Sequence, residues 1–225
     1  LVFMRSAPVL AELDSATGNV ARPALEDRLL PMLQGEFALQ EGDSATAAAA
    51  YVEAAERESD PGLAERAARI ALLADQPGLV ERALKRWLEL QPEALGAKQI
   101  ELVLAMRDHR TSAAVHQLSS LLAGDEAAQK LAIQALAGAG EQAVPVMQQL
   151  LSEGFEPPSV DVLVAIGALA SQAKAEALVD STLQLALEVF PDDPKALLWR
   201  TEVLQLKGDS AAALDTLRAL PGKDL

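Results

Sequence analysis

The chain holds two histidines, His109 and His116, and no cysteine. Any metal site or imidazole relay must start from these two. Their spacing of seven puts them roughly two turns apart on one helix, too far to share an ion. Neither cysteine nor a clustered carboxylate completes a ligand set around them. Ser112, Ser119 and Ser120 lie nearby, but helix caps and solvated helix faces are the ordinary places for serine. The run Gly138-Ala139-Gly140-Glu141-Gln142-Ala143 has the form of a dinucleotide fingerprint. That fingerprint needs a preceding strand to aim its turn at a pyrophosphate, and residues 131–137 read as helix. Asp192-Asp193 could suggest paired carboxylates for general acid–base work. They precede Pro194, so they read as a cap for the next helix. Glu65, Arg66 and Arg69 have the spacing of helix-surface ion pairs, worth about a few tenths of a kcal/mol each. The expectation is no catalytic centre, no cofactor and no metal.

The elements that must position any surface site are helices. Half of the 225 residues are apolar but only 3% are aromatic. Leucine and alanine dominate, and both lose little conformational freedom in a helix. The fold class expected is all-α. A formal net charge of −14 repels phosphate backbones and anionic lipid surfaces, so nucleic acid is not an expected partner. The absence of cysteine removes disulfides and thiolate chemistry. Apolar runs are broken every few residues, short of the roughly 20 residues that span a bilayer.

Turn residues recur with a fixed period. Gly42-Asp43, Gly140-Glu141 and Gly208-Asp209 each separate two amphipathic stretches; Gly140 and Gly208 are 68 apart, two units of 34. Pro92 and Pro191 end corresponding stretches 99 residues apart. Each unit reads as helix, turn, helix, break. In the first, residues 29–40 form one helix, and Ala47, Tyr51 and Ala54 mark the second. Asp60 should cap the next helix with Pro61 in its first turn. Later units carry Val80, Leu84 and Trp87; Ala114, Leu118 and Leu121; Val179, Leu183 and Ala186; and Ala213 and Leu217. These positions recur at steps of three and four, one stripe per helix. A single pair cannot bury its stripe, so stability must come from stacking neighbours.

This pattern resembles the tetratricopeptide repeat over residues 28–220. Gln34-Gly35, Gly42-Asp43, Ala47, Tyr51 and Ala54 carry it in the first unit, and Ile166-Gly167, Ala186 and Pro191 in the fifth. Gly208-Asp209, Ala213 and Leu217 carry it in the sixth. The resemblance implies a right-handed α-solenoid of antiparallel helix hairpins, a superhelix of about six pairs. Two departures stand out. First-helix aromatics are missing, and Trp87 stands where alanine is common. The fourth unit, with Ala132, Leu136, Pro145 and Leu150, also fits a HEAT-like pair. Residues 51–70, reading YVEAAERESDPGLAERAARI, resemble early repeats of Gram-negative envelope lipoproteins. That group includes outer-membrane adaptors that deliver substrates to carboxy-terminal processing proteases. The resemblance implies a periplasmic, outer-membrane-associated protein whose lipidated cysteine lay upstream; a cytoplasmic protein is the alternative.

In such arrays the first helix of each pair lines a groove for a peptide or protein. Carried over by position, the groove comprises Met32, Glu36, Glu65, Arg69, Gln99, Val103 and Met106, continuing through Lys130, Gln134, Val164, Glu202 and Gln205. Methionine, glutamine and mixed charge suit varied peptides. The clustered Lys, Arg and Asn of a carboxylate clamp are missing. The expected function is a non-catalytic interaction scaffold or adaptor; the alternatives are a hydrolytic domain with an acidic groove and a self-associating structural element. Residues 1–27 are expected to be an arm outside the repeat, with a short helix at residues 9–13. Leu214 and Leu217 on an uncapped last helix are expected either to be covered by a partner molecule or to be followed by further repeats in a longer protein, the second being the favoured expectation.

Overall fold

The computed structural model describes residues 25–220, with side chains from residue 29. The expected arm lies outside the described residues up to residue 24. Its last residues, from Leu25, already belong to the first helix.

Twelve α-helices occur among the described residues, and no strand. They alternate as the periodicity predicts: α1 (Leu25–Glu41), α2 (Ser44–Arg57), α3 (Pro61–Leu73), α4 (Pro77–Leu90), α5 (Leu95–Arg107) and α6 (Thr111–Leu122). Then come α7 (Glu126–Ala139), α8 (Val144–Ser152), α9 (Val160–Gln172), α10 (Glu176–Val189), α11 (Pro194–Leu206) and α12 (Ser210–Arg218). A 3-10 turn, Gly140–Ala143, joins α7 to α8. These are six helix hairpins, an all-α, tetratricopeptide-like array. The chain divides into two compact units, residues 1–86 and 87–225.

Five of the six hairpin turns are built alike. The helix ends, one residue takes a positive φ, and the next N–H reaches back five residues. Those bonds are Asp43 N to Ala38 O (2.9 Å), Gln76 N to Ala71 O (3.0 Å), Arg110 N to Ala105 O (2.8 Å), Ala175 N to Ala170 O (2.9 Å) and Asp209 N to Leu204 O (2.9 Å). This is the Schellman arrangement, which satisfies the orphan carbonyls of a helix end. Its positive-φ residues are Gly42 (79°), Asp75 (55°), His109 (54°), Lys174 (57°) and Gly208 (81°). Glycine holds two of these positions at no steric cost. The other three side chains tolerate a conformation that is unfavourable for an L-residue. The fourth hairpin departs: Gly140 has φ 56° with ψ −125°, and the 3-10 turn replaces the shared bond. Asp43, Asp60, Asp125, Asp193 and Asp209 each accept a backbone N–H at the start of a helix, as the spacing at Asp60 and Asp193 predicts.

In the first unit, α1, α2 and α3 pack in sequence around a core rich in alanine, with Tyr51 fully buried. Gly35 makes room for that ring: a Cβ added there would lie 2.7 Å from Tyr51 Cδ2. Tyr51 Oη donates to Glu36 Oε1 at 2.5 Å, and Arg66 stacks over the ring 4.7 Å from its centroid. Arg66 also pairs with Glu36 at 2.7 Å. The sequence places Arg66 among ion pairs within its own helix; it instead ties α3 to α1, and Glu65 pairs with Arg69 at 2.8 Å. From α4, Arg82 meets Glu56, and Arg86 donates to the carbonyls of Ala55 and Glu58 at the end of α2.

The second unit has two layers. Helices α5, α7, α9 and α11 pack in succession as one, and α6, α8 and α10 as the other. One apolar cluster runs from Leu102 through Leu118, Leu136 and Met147 to Ile166 and Leu178. A smaller one joins Leu163, Ala186, Ala196, Trp199 and Val203. Gly167 is to Trp199 what Gly35 is to Tyr51: an added Cβ would lie 1.9 Å from Trp199 Cζ2.

Two predictions follow from these contacts. Replacing His109 by glycine relieves a left-handed L-residue, which costs about 1–2 kcal/mol, against a glycine entropy penalty of about 0.5–1 kcal/mol. His109→Gly should raise the urea midpoint, and Gly208→Ala should lower it. Tyr51 is the one tyrosine in the chain. Burial, then its hydrogen bond to Glu36, pushes its pKa up to about 12. Ultraviolet titration should show phenolate appearing near that value and not near 10. Because folding holds this proton, the Tyr51 contribution to stability is complete below about pH 10. It is lost as pH rises from there to about 12.

Candidate functional site

The second unit contains a cleft of about 620 Å³ where α9, α11 and the start of α10 meet. The size falls within the roughly 300–1,000 Å³ typical of ligand sites. Its floor is apolar: Val164 and Gly167 from α9, Val179 from α10, and Trp199 and Val203 from α11. The local sequence explains this floor. Gly167 admits the indole of Trp199, which is 7% exposed and lines the cleft. Leu206 is 82% exposed at the lip.

Charge surrounds the floor. Lys174, Glu176, Asp180, Glu202 and Lys207 line the cleft, all exposed. Lys207 Nζ lies 2.5 Å from Asp180 Oδ1, joining α11 to α10 across the rim. Lys174 is the positive-φ residue of the turn between α9 and α10, so the Schellman turn fixes where its side chain leaves the backbone.

Two of the sequence-predicted groove residues, Val164 and Glu202, come together in this cleft. Gln205, on the same helix as Glu202, is exposed outside it. Gln99 is half-buried and donates to the Leu131 carbonyl at 3.3 Å, joining α5 to α7. Lys130 and Gln134 are exposed on α7, while Val103 is half-buried against the core cluster. Met106 is a correction. It is 2% exposed within the core of the second unit, because Leu102, Ala105 and Met106 form the inward stripe of α5 at steps of three and four. In the first unit, Met32, Glu36 and Glu65 are half-buried and Arg69 is exposed. Glu36 is committed to Tyr51 and Arg66, and Glu65 to Arg69.

Trp199, Lys174, Asp180, Leu206 and Lys207 were not expected at a site. The available signal was Gly167 in mid-helix, which asks for a large partner close by, with Trp199 about one repeat later. The first-helix aromatic thought missing from the array is thus present in the sixth hairpin.

The residues weighed for chemistry are dispersed. His109 occupies its turn and His116 is exposed on α6. Ser112 accepts from Gln149 at 3.4 Å, Gly140 ends α7, and Asp193 caps α11 through Lys195 N at 2.8 Å. Among the described residues no group of three His, Asp or Glu is placed to hold a metal ion, and no helix is long and apolar enough to cross a membrane. A second apolar surface lies on α1, where Leu29, Leu30, Leu33 and Phe37 are exposed.

No protein family profile matches the chain, and no curated protein matches its sequence. Among solved structures, the one titled "Crystal structure of MamA protein" is similar at 14% identity, over 86% of this chain and 90% of that chain, with a TM-score of 0.39. Likeness at that level carries no argument about function. The fold class rests on this chain's own hairpins and on the turn that repeats through five of them.

Proposed function

We propose that the chain is a non-catalytic interaction scaffold that holds a peptide or protein segment in the cleft between α9, α10 and α11. The observation that carries this reading is the cleft itself: an open apolar floor around Trp199 and Val164 within a ring of mixed charge. A few apolar anchors surrounded by polar groups is the arrangement that concentrates binding energy at an interface. Stacked hairpins suit the role, because each presents its first helix beside the next and leaves side chains facing outward. The envelope role belongs to the same proposal. The resemblance over residues 51–70 supports an adaptor that brings substrates to a periplasmic protease, held at the outer membrane.

The test uses two surface leucines. Leu206, at the lip of the cleft, is 82% exposed, and Leu73, at the end of α3, is 85% exposed. Neither supports the core, so glutamate at either position should leave the fold intact. Leu206→Glu should weaken capture of partner proteins from a native cell extract by tenfold or more, while Leu73→Glu leaves it unchanged. Co-isolation of a processing protease with the unsubstituted chain would support the adaptor role. Equal capture by both variants would count against the cleft.

A further inference from the structure

We infer that the cleft selects linear segments in which a bulky apolar side chain is neighboured by lysine or arginine, and disfavours acidic segments. This inference rests on the peptide-binding reading and narrows it to a class of ligand.

The floor sets the first half of the preference. Ser171 is an exposed residue of the lining, while Trp199, Val164 and Val203, with Leu206 at the lip, offer aromatic and aliphatic surface whose only hydrogen-bonding side-chain group is the indole N–H. A polar side chain inserted there would lose water without gaining partners. The rim sets the second half. It carries three carboxylates and two ammonium groups. Lys207 is already engaged by Asp180 at 2.5 Å, and that pair offers little net field to a ligand. What remains is Glu176, Glu202 and Lys174, two acids against one base, on a chain whose net charge is −14. An incoming lysine or arginine meets Glu176 and Glu202 around an apolar floor. An incoming carboxylate finds Lys174 with both glutamates against it.

Magnitudes assign the roles. Exposed ion pairs change affinity only about twofold to fivefold each, so burial of the apolar anchor must supply the affinity. The acidic rim and the overall negative field supply discrimination and faster encounter.

The chain has two tryptophans. Trp87 is buried, and its Nε1 has no hydrogen-bond partner, so Trp87→Phe sacrifices no bond and leaves Trp199 as the sole indole reporter. Three peptide series would be titrated, sharing one leucine or phenylalanine anchor and flanked by lysine, alanine or glutamate. Fluorescence anisotropy of labelled peptides on the unsubstituted chain gives the same affinities without depending on the variant. The expected result is a Trp199 emission shift, with lysine-flanked peptides about threefold to tenfold tighter than alanine-flanked ones and glutamate-flanked ones weakest. The combined variant Glu176→Gln, Glu202→Gln should erase the ranking and keep apolar binding. If alanine- or glutamate-flanked peptides bind as tightly as lysine-flanked ones, or the ranking survives in that variant, the selectivity is overturned while the scaffold reading stands. If no series binds, both fall.

Discussion

Among the described glycines the tightest position is Gly167 on α9, where an added Cβ would lie 1.9 Å from Trp199 Cζ2 on α11. A helix normally keeps its neighbour at the distance set by its β-carbons. Removing one lets the partner's ring lie against the backbone, and the ring then replaces the volume that several leucines would fill. The first unit uses the same device with Gly35 and Tyr51. It shows how a chain with 3% aromatic residues packs two of its large rings: many of the buried residues are alanine, and Tyr51 and Trp199 sit where a glycine admits them. It also makes the cleft. The indole admitted at Gly167 lines the opening, and the lip is left to Leu206 and the charged residues around it.

The second constraint is the turn. Each hairpin must reverse within two to four residues and satisfy the carbonyls it leaves behind. The five carbonyls that accept the long return bond are those of Ala38, Ala71, Ala105, Ala170 and Leu204. They recur every 33 or 34 residues, with one interval of 65 residues across the fourth hairpin. The repeat is therefore written in hydrogen bonds as well as in side chains. This regularity made the helix pairs legible in the sequence, where Gly42 and Gly208 announce the turn. The same turn at Asp75, His109 and Lys174 carries no glycine, so no residue type there marks a positive φ. The fourth unit, which fits two kinds of helix pair by sequence, is the one that abandons the shared bond for a 3-10 turn.

Legibility falls off from fold to site for a physical reason. Helix periodicity reports which stripe faces inward, but residues at its edge are decided by a few degrees of rotation. Met106, grouped with Gln99 and Val103 by the positions carried over from the resembled repeat, belongs to the buried stripe of Leu102 and Ala105. Long-range pairing is hidden as well. Nothing local to Arg66 says that it leaves Glu65 for Glu36 and Tyr51, or that Lys207 reaches Asp180. Val164 and Glu202 were legible because first helices are adjacent in such an array. Trp199 was not, because its place depends on a glycine one hairpin earlier. Surface ion pairs of this kind contribute little individually, so stability lies in the alanine-lined crossings and the rim charges are left to shape recognition.

The most direct measurement is a double-mutant cycle on that contact, with unfolding free energies for Gly167→Ala, Trp199→Leu and both together. Overpacking and ring truncation each destabilise, by about 1–3 and 3–5 kcal/mol in typical cores. If the ring lies against the bare backbone, the double variant should be markedly less unstable than the sum, by about 1 kcal/mol or more. Additive losses would contradict the account, because they would mean that glycine and indole do not meet.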